Sequence, residues 1–266
     1  MSNTRSVVVA GASIAVEERG SGPALLFVHG YPLDRSLWRH QLGEFASWRR
    51  IAPDLRGFGA SAAAPPEPTL ARYADDLAAV LDALGVEQAV VCGLSMGGYI
   101  TFEFLRRHRA RVRGLILMDT KAEADGAEGK KARDQAAALA EEKGAAAIAD
   151  GMLPKLLAAG TAQTQPTVVV AVREMMLRAS VPGIVAALRA MRDRPDSTDL
   201  LPEIAVPTLA LCGADDVLTP PAGMKTIAER VRGARYVEVA GAGHLSPLEQ
   251  PTAVNRAVAG FLSTFG

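Results

Sequence analysis

Cysteine, histidine, aromatic residues and net charge are all scarce in this chain, and each scarcity removes a class of function. Two cysteines in 266 residues cannot build a disulfide framework, and the spacing of Cys92 and Cys212 matches no metal-binding pattern. Both end apolar runs, QAVVCG and VPTLALCG, which predicts buried thiols at strand ends. Lys plus Arg and Asp plus Glu balance at 29 each, so no global field recruits nucleic acid or an anionic membrane surface. The densest basic stretch (Arg106, Arg107, Arg109, Arg111, Arg113) falls at a predicted helix C-terminus, where cations complement the helix dipole from a solvated face. No segment offers about 18 uninterrupted apolar residues, and the opening MSNTRSVVVAGA lacks the apolar stretch of a signal peptide. The expectation is a cytoplasmic protein with neither a nucleic-acid nor a membrane partner. Its oligomeric state is not readable from the sequence.

What the chain does have is apolar substance, 49% of its residues, distributed in short runs. ALLFVHG, RRIAPD, AVVCG, RGLILMD, VPTLALCG and ARYVEVAG alternate with helical patterns. Strands covered on both faces by crossover helices read as continuous hydrophobic runs, so this order predicts a parallel sheet. The start, SVVVAGASIAVEERGSG, is broken at Ala10-Gly11 and reads as an antiparallel edge hairpin. Apolar residues at Leu77, Val80, Leu81 and Leu84 predict an amphipathic helix over Tyr73 to Leu84, closed by Gly85. A second helix is predicted from Ser95 toward His108, and a last one from Pro251 to Phe265. From Lys121 to about Leu200 the strand signal gives way to helical segments, and it resumes at Val206. The predicted fold is therefore α/β: a mostly parallel eight-stranded sheet with helices on both faces. Residues 1–120 and 201–266 form the core, and residues 121–200 form an inserted helical cap. No internal repeat appears at any fixed period.

The chemistry begins at Gly93-Leu94-Ser95-Met96-Gly97, which follows an apolar run and precedes a helical pattern, the strand–turn–helix context of a nucleophile elbow. A sharp turn there leaves no space for Cβ atoms beside the serine, and the starting helix favours developing negative charge. A serine hydroxyl needs a base, and there are only four histidines. His29 and His40 precede Ser95, against the Ser…acid…His order of this strand arrangement. His108 sits thirteen positions along the same helix, roughly 20 Å away at 1.5 Å per residue. His244 remains, in a small-residue loop after ARYVEVA. The acid that would orient it is Asp215 or Asp216, on the turn at the carboxyl end of VPTLALCG, with Asp119 after RGLILM as a positional rival.

With these motifs in view, the sequence resembles the α/β-hydrolase superfamily along essentially its whole length. His29-Gly30-Tyr31-Pro32 resembles that family's oxyanion loop, and Asp54 to Ser61 its D-x-R-G-x-G-x-S loop. Gly213 to Pro220 resembles its acid turn, which selects Asp216, and Gly243 to Pro251 its histidine loop. The resemblance implies a triad of Ser95, Asp216 and His244, with an oxyanion hole of the Tyr31 and Met96 backbone N–H groups. Asp54 and Arg56 are expected to serve loop hydrogen bonds and an ion pair, and His29 to anchor its own loop.

Relatives that hydrolyse haloalkanes or epoxides carry aspartate where this chain has Ser95, so the resemblance favours the serine members: carboxylesterases, enol-lactonases, acyl-homoserine-lactone lactonases and cofactor-free haloperoxidases or perhydrolases. The expected activity is hydrolysis of small to medium, mainly neutral apolar carboxylic esters through an acyl-enzyme. A lactonase or perhydrolase with the same triad is the alternative, and a ligand-sensing receptor with little turnover is a reading from another class. Acyl transfer of this kind requires no cofactor and no metal. Met152, Leu153, Met175, Met176 and Met191 are polarizable or apolar candidates for lining the substrate pocket, with plain helix packing as the competing role. Basic residues in the cap do not stand out as a clamp for a dicarboxylate.

Overall fold

The computed structural model describes residues 3–61 and 69–265. Its first strands, β1 (Asn3–Val9) and β2 (Ala12–Arg19), form the expected antiparallel hairpin. Ala10 and Gly11 both take positive φ, the turn geometry that matches the twist of tightly joined strands. The chain then forms β3 (Ala24–Val28), β4 (Arg49–Pro53), α1 (Leu70–Ala83), β5 (Ala89–Leu94), α2 (Met96–Arg107) and β6 (Val112–Met118). Four helices follow before the next strand: α3 (Ala127–Leu156), interrupted at Gly144, then α4 (Thr161–Thr164), α5 (Pro166–Arg178) and α6 (Val181–Arg192). The chain closes with β7 (Thr208–Gly213), α7 (Pro221–Arg230), β8 (Arg235–Val239), α8 (Ser246–Glu249) and α9 (Pro251–Leu262). The helix expected from Tyr73 starts three residues earlier, because Thr69 caps it by accepting the Arg72 N–H at 3.1 Å.

The eight strands form one sheet in the order β1-β2-β4-β3-β5-β6-β7-β8, antiparallel at β1/β2 and β2/β4 and parallel elsewhere. Side chains alternate between its faces. Leu26, Val28, Val91, Leu115 and Leu117 join the apolar cluster containing residues of α1, α2, α6 and α7. Leu25, Phe27, Val90, Cys92 and Ile116 join the cluster on the other face with Trp38, α5 and α9. Burial of both faces explains why the central strands read as unbroken apolar runs. The edge strand β8 is the exception: four of its five residues are exposed or half-buried, because only one strand flanks it.

β6 and β7 are parallel neighbours although α3 to α6 lie between them in sequence. The carboxyl ends of β5, β6 and β7 thereby converge, and the segment that follows each contributes a chemical group: Ser95, Asp119 and Asp216.

Candidate active site

Ser95 occupies the junction of β5 and α2 at φ 55° and ψ −115°, a left-handed conformation that costs energy for any residue with a side chain. Its backbone is held from several sides. The N–H donates to Met118 O at 2.9 Å, and its carbonyl accepts from Gly98 N, Tyr99 N and the Thr120 hydroxyl at 2.8, 3.2 and 2.8 Å. A Cβ on Gly93 would collide with the Gly97 carbonyl, and one on Gly97 would collide with the Val28 carbonyl. The motif glycines are therefore there for close approach, which lets β3, β5 and α2 meet beneath the serine.

Because the first bonds within α2 run from Gly98 and Tyr99 back to Ser95, the N–H groups of Met96 and Gly97 precede the helix ladder and have no intrahelical acceptor. The N–H of Tyr31 likewise has no hydrogen-bond partner among the described residues. The loop carrying it is anchored by His29, which is fully buried. Its Nδ1–H donates to Gly30 O at 2.9 Å, and its Nε2 accepts the Leu55 N–H at 2.9 Å. Burial pushes the imidazole pKa below its ordinary 6.5, consistent with this neutral tautomer. Asp54 takes the N–H groups of Arg35 and Ala60 at 2.8 and 2.7 Å as well as the Arg35 guanidinium. Arg56 grips Asp76 of α1 through two bonds of 2.8 and 2.7 Å.

The histidine loop brings His244 Nδ1 to 2.8 Å from Asp216 Oδ2. Asp216 also accepts from Leu218 N, Thr219 N and the Thr219 hydroxyl at 2.8, 3.0 and 2.6 Å. Burial alone would raise its pKa, but the hydrogen bond and charge of His244, together with the Thr219 donors, hold the carboxyl below the usual range. The rival acids have other surroundings. Asp215 is exposed, and Asp119 spends its oxygens on Gly213 N and the Ser246 hydroxyl at 2.8 and 2.6 Å. His108 pairs with Asp75 at 2.8 Å, and His40 lies beside Arg39.

Ser95 and His244 line one cavity of about 120 Å³, together with Tyr31, Tyr99, Lys121, Arg133, Met152, Met191, Leu218 and Thr219. No hydrogen bond joins Ser95 to His244 among the described residues. Contacts of this kind are often long until a substrate tightens them. Of the five side chains expected to line a pocket, Met152 and Met191 do so. Met175 and Met176 are instead fully packed in the apolar cluster around Trp38, and Leu153 packs against the same cluster. Helical periodicity names the buried face but not which buried residues border the void.

Several residues at this site are not among those the sequence singles out. Lys121 and Arg133 bring two cations to the cavity, although no clamp stood out in the sequence. Thr219, three residues after Asp216, bonds that carboxylate and approaches His244 Nδ1 at 3.3 Å; its place on the acid turn was the available signal. Glu249 is buried, and its carboxylate accepts from Gly243 N beside His244 at 2.8 Å, and from Ala158 N and the Thr161 hydroxyl at 2.7 and 2.6 Å. It ties the histidine loop to the α3–α4 connection, a link with no sequence signal.

Residues 23–251 match the family model described as alpha/beta hydrolase fold. The chain is 30% identical to 3-oxoadipate enol-lactonase 2 of Acinetobacter baylyi over 245 residues, which covers 91% of this chain and 90% of that protein. Among solved structures, a thermophilic esterase from Thermogutta terrifontis with malate bound is 40% identical at a TM-score of 0.94, covering 99% of this chain and 98% of its own. The enol-lactonase from Burkholderia xenovorans LB400 is 29% identical at a TM-score of 0.90, covering 97% of this chain and all of its own. With the family model spanning most of its length and relatives aligned almost end to end, the chain belongs to the α/β-hydrolase fold family.

Proposed function

We propose that this member of a hydrolase family cleaves carboxylic esters, lactones among them, through an acyl-enzyme on Ser95. The observation that carries the reading is the 2.8 Å bond from His244 Nδ1 to Asp216, made beside a cavity that Ser95 also lines. With Nδ1 committed to Asp216, Nε2 is the nitrogen left to take the serine proton. Ser95 Oγ attacks the ester carbonyl as His244 accepts its proton. The resulting oxyanion is met by the N–H groups of Met96 and Tyr31, donors that need no reorganisation because they have no hydrogen-bond acceptor among the described residues. Collapse expels the alcohol, which leaves with the proton from His244. A water then deacylates Ser95 by the same route, releasing the acid.

Residues 121–200 act in this reading as a cap over the core formed by 1–120 and 201–266. The lactone variant is favoured by the 30% identity to an enol-lactonase over 91% of the chain. Opening a ring ester needs no other chemistry. Lys121 and Arg133 line the cavity, which argues against the expected preference for neutral apolar substrates. Ser95→Ala should lower the turnover of p-nitrophenyl acetate by at least about 10³-fold with the fold intact by circular dichroism. Full turnover in that variant contradicts the reading, and a folded wild type that releases no p-nitrophenol supports a ligand-sensing protein instead.

A further inference from the structure

The cations on the wall of the cavity are not used by acyl transfer. Lys121, Arg133 and Arg194 share a single carboxylate, Asp125, at 3.6, 3.1 and 2.9 Å. Arg194 is spent elsewhere as well: it donates to Met191 O and Glu123 O and lies 4.3 Å over the Tyr99 ring. Arg133 is bonded only through Nε, which leaves the two Nη groups of its fork without partners among the described residues. Among the described residues Lys121 has only its long contact with Asp125. Asp125 is held down at about 2: burial would raise it, but Arg194 and Arg133 outweigh that effect, so it stays ionised and the cationic excess persists across ordinary pH. Independently, the Tyr31 hydroxyl is buried with no hydrogen-bond partner among the described residues, on a residue only 6% exposed that lines the same cavity. Buried polar atoms in native structures are almost always paired, so an orphaned donor beside free cationic donors is a site awaiting an acceptor.

We infer that Lys121, Arg133 and the Tyr31 hydroxyl form an anion subsite, and that the substrate is an ester or lactone carrying a free carboxylate elsewhere in the molecule. The inference rests on the acyl-enzyme reading for the reaction but not for the binding. The Nη fork matches the two oxygens of a carboxylate, Lys121 adds a point charge, and the phenol donates a third hydrogen bond. The carboxylate fixes which end of the substrate faces Ser95 and takes no part in the bonds that break.

Monomethyl glutarate and dimethyl glutarate share the glutaryl chain, and a single methyl group on the second carboxyl replaces the charge of the monoester with another ester. Titration at constant pH should give the wild type a kcat/KM for the monoester at least tenfold above that for the diester. In Arg133→Gln and in Lys121→Met that ratio should shrink about tenfold, with the loss mainly in KM, and Tyr31→Phe should shrink it less. Should a charge variant fail to fold, the wild-type ratio and Tyr31→Phe still decide the matter. Calorimetry of glutarate with Ser95→Ala needs no turnover: binding that weakens as salt rises and is lost in Ser95→Ala/Arg133→Gln supports the subsite even if neither ester is hydrolysed, in which case only the acyl-enzyme reading falls. A wild-type ratio of one or below, or a ratio indifferent to all three substitutions with no glutarate binding, overturns the inference.

Discussion

Two carboxylates stand at neighbouring strand ends of the same sheet, and their surroundings drive them apart. Asp216 is fed by four donors, His244 among them, and stays a carboxylate that can orient and stabilise an imidazolium. Asp119 is fully buried with the Asp216 charge nearby, and burial first, then that charge, pushes its pKa well above the ordinary 3.8. The folded chain therefore keeps the Asp119 proton to higher pH than the unfolded chain does. Its contribution to stability is complete below the unfolded value and is lost as pH rises through the folded one. Asparagine can still accept from Gly213 N and donate to the Ser246 hydroxyl without ever ionising. Urea midpoints measured from pH 4.5 to 7 should thus show wild type losing stability relative to Asp119→Asn as pH rises. Asp119→Ala should lie about 1–3 kcal/mol below Asp119→Asn throughout, because two buried donors lose their acceptor. An asparagine variant as damaged at pH 7 as the alanine variant would contradict this assignment.

At the scale of elements, the arrangement depends on how loops are tied to one another. Glu249, on α8, receives three donors from two different segments, so the position of the histidine loop and that of the α3–α4 connection are set by one carboxylate. Glu249→Gln replaces one acceptor oxygen with an amide that faces N–H and O–H donors. It should cost about 1–3 kcal/mol of stability and lower kcat more than it raises KM, since His244 rather than the substrate is displaced. An unchanged kcat with an unchanged urea midpoint would show that the tie does not hold the loop. The same scale explains what was legible in the sequence. The elbow at Ser95 could be read because Gly93 and Gly97 are steric requirements written locally. Strand order narrows the acid to the turns after β6 and β7, leaving Asp119, Asp215 and Asp216, and the resemblance of Gly213 to Pro220 to the family's acid turn selects Asp216 as the partner of His244. Lys121 and Arg133 could not be read, because reaching the cavity depends on how α3 and its preceding loop lie over the sheet, which composition and period do not encode. For Met175 and Met176 the competing role of plain helix packing holds, since α5 buries them in the cluster that contains Trp38.

For the whole molecule, the order of the strands locates function. The cavity lies at the carboxyl ends of the parallel strands, the side on which open α/β sheets bind ligands. A larger hollow of about 410 Å³, lined by Phe45, Trp48, Leu262 and Phe265, sits at the amino ends of β3 and β4 and holds none of the groups discussed above. Among the described residues no helix is long and apolar enough to cross a membrane. The basic stretch that ends α2 and follows it is matched locally: Arg106 with Glu103, Arg107 with Asp75, Arg109 with Glu203 and Arg111 with Asp82, while Arg113 stacks near Trp48 and Phe265. These arginines knit helices and loops together and leave no open basic face at that site. The central claim is that one serine forms the covalent intermediate, and it is tested most directly by treating the protein with diethyl p-nitrophenyl phosphate and mapping the adduct by peptide mass spectrometry. A single diethylphosphoryl group on Ser95, with esterase activity lost in proportion and no label in Ser95→Ala, is the predicted result. Label on another residue, or activity that survives complete labelling of Ser95, would contradict it.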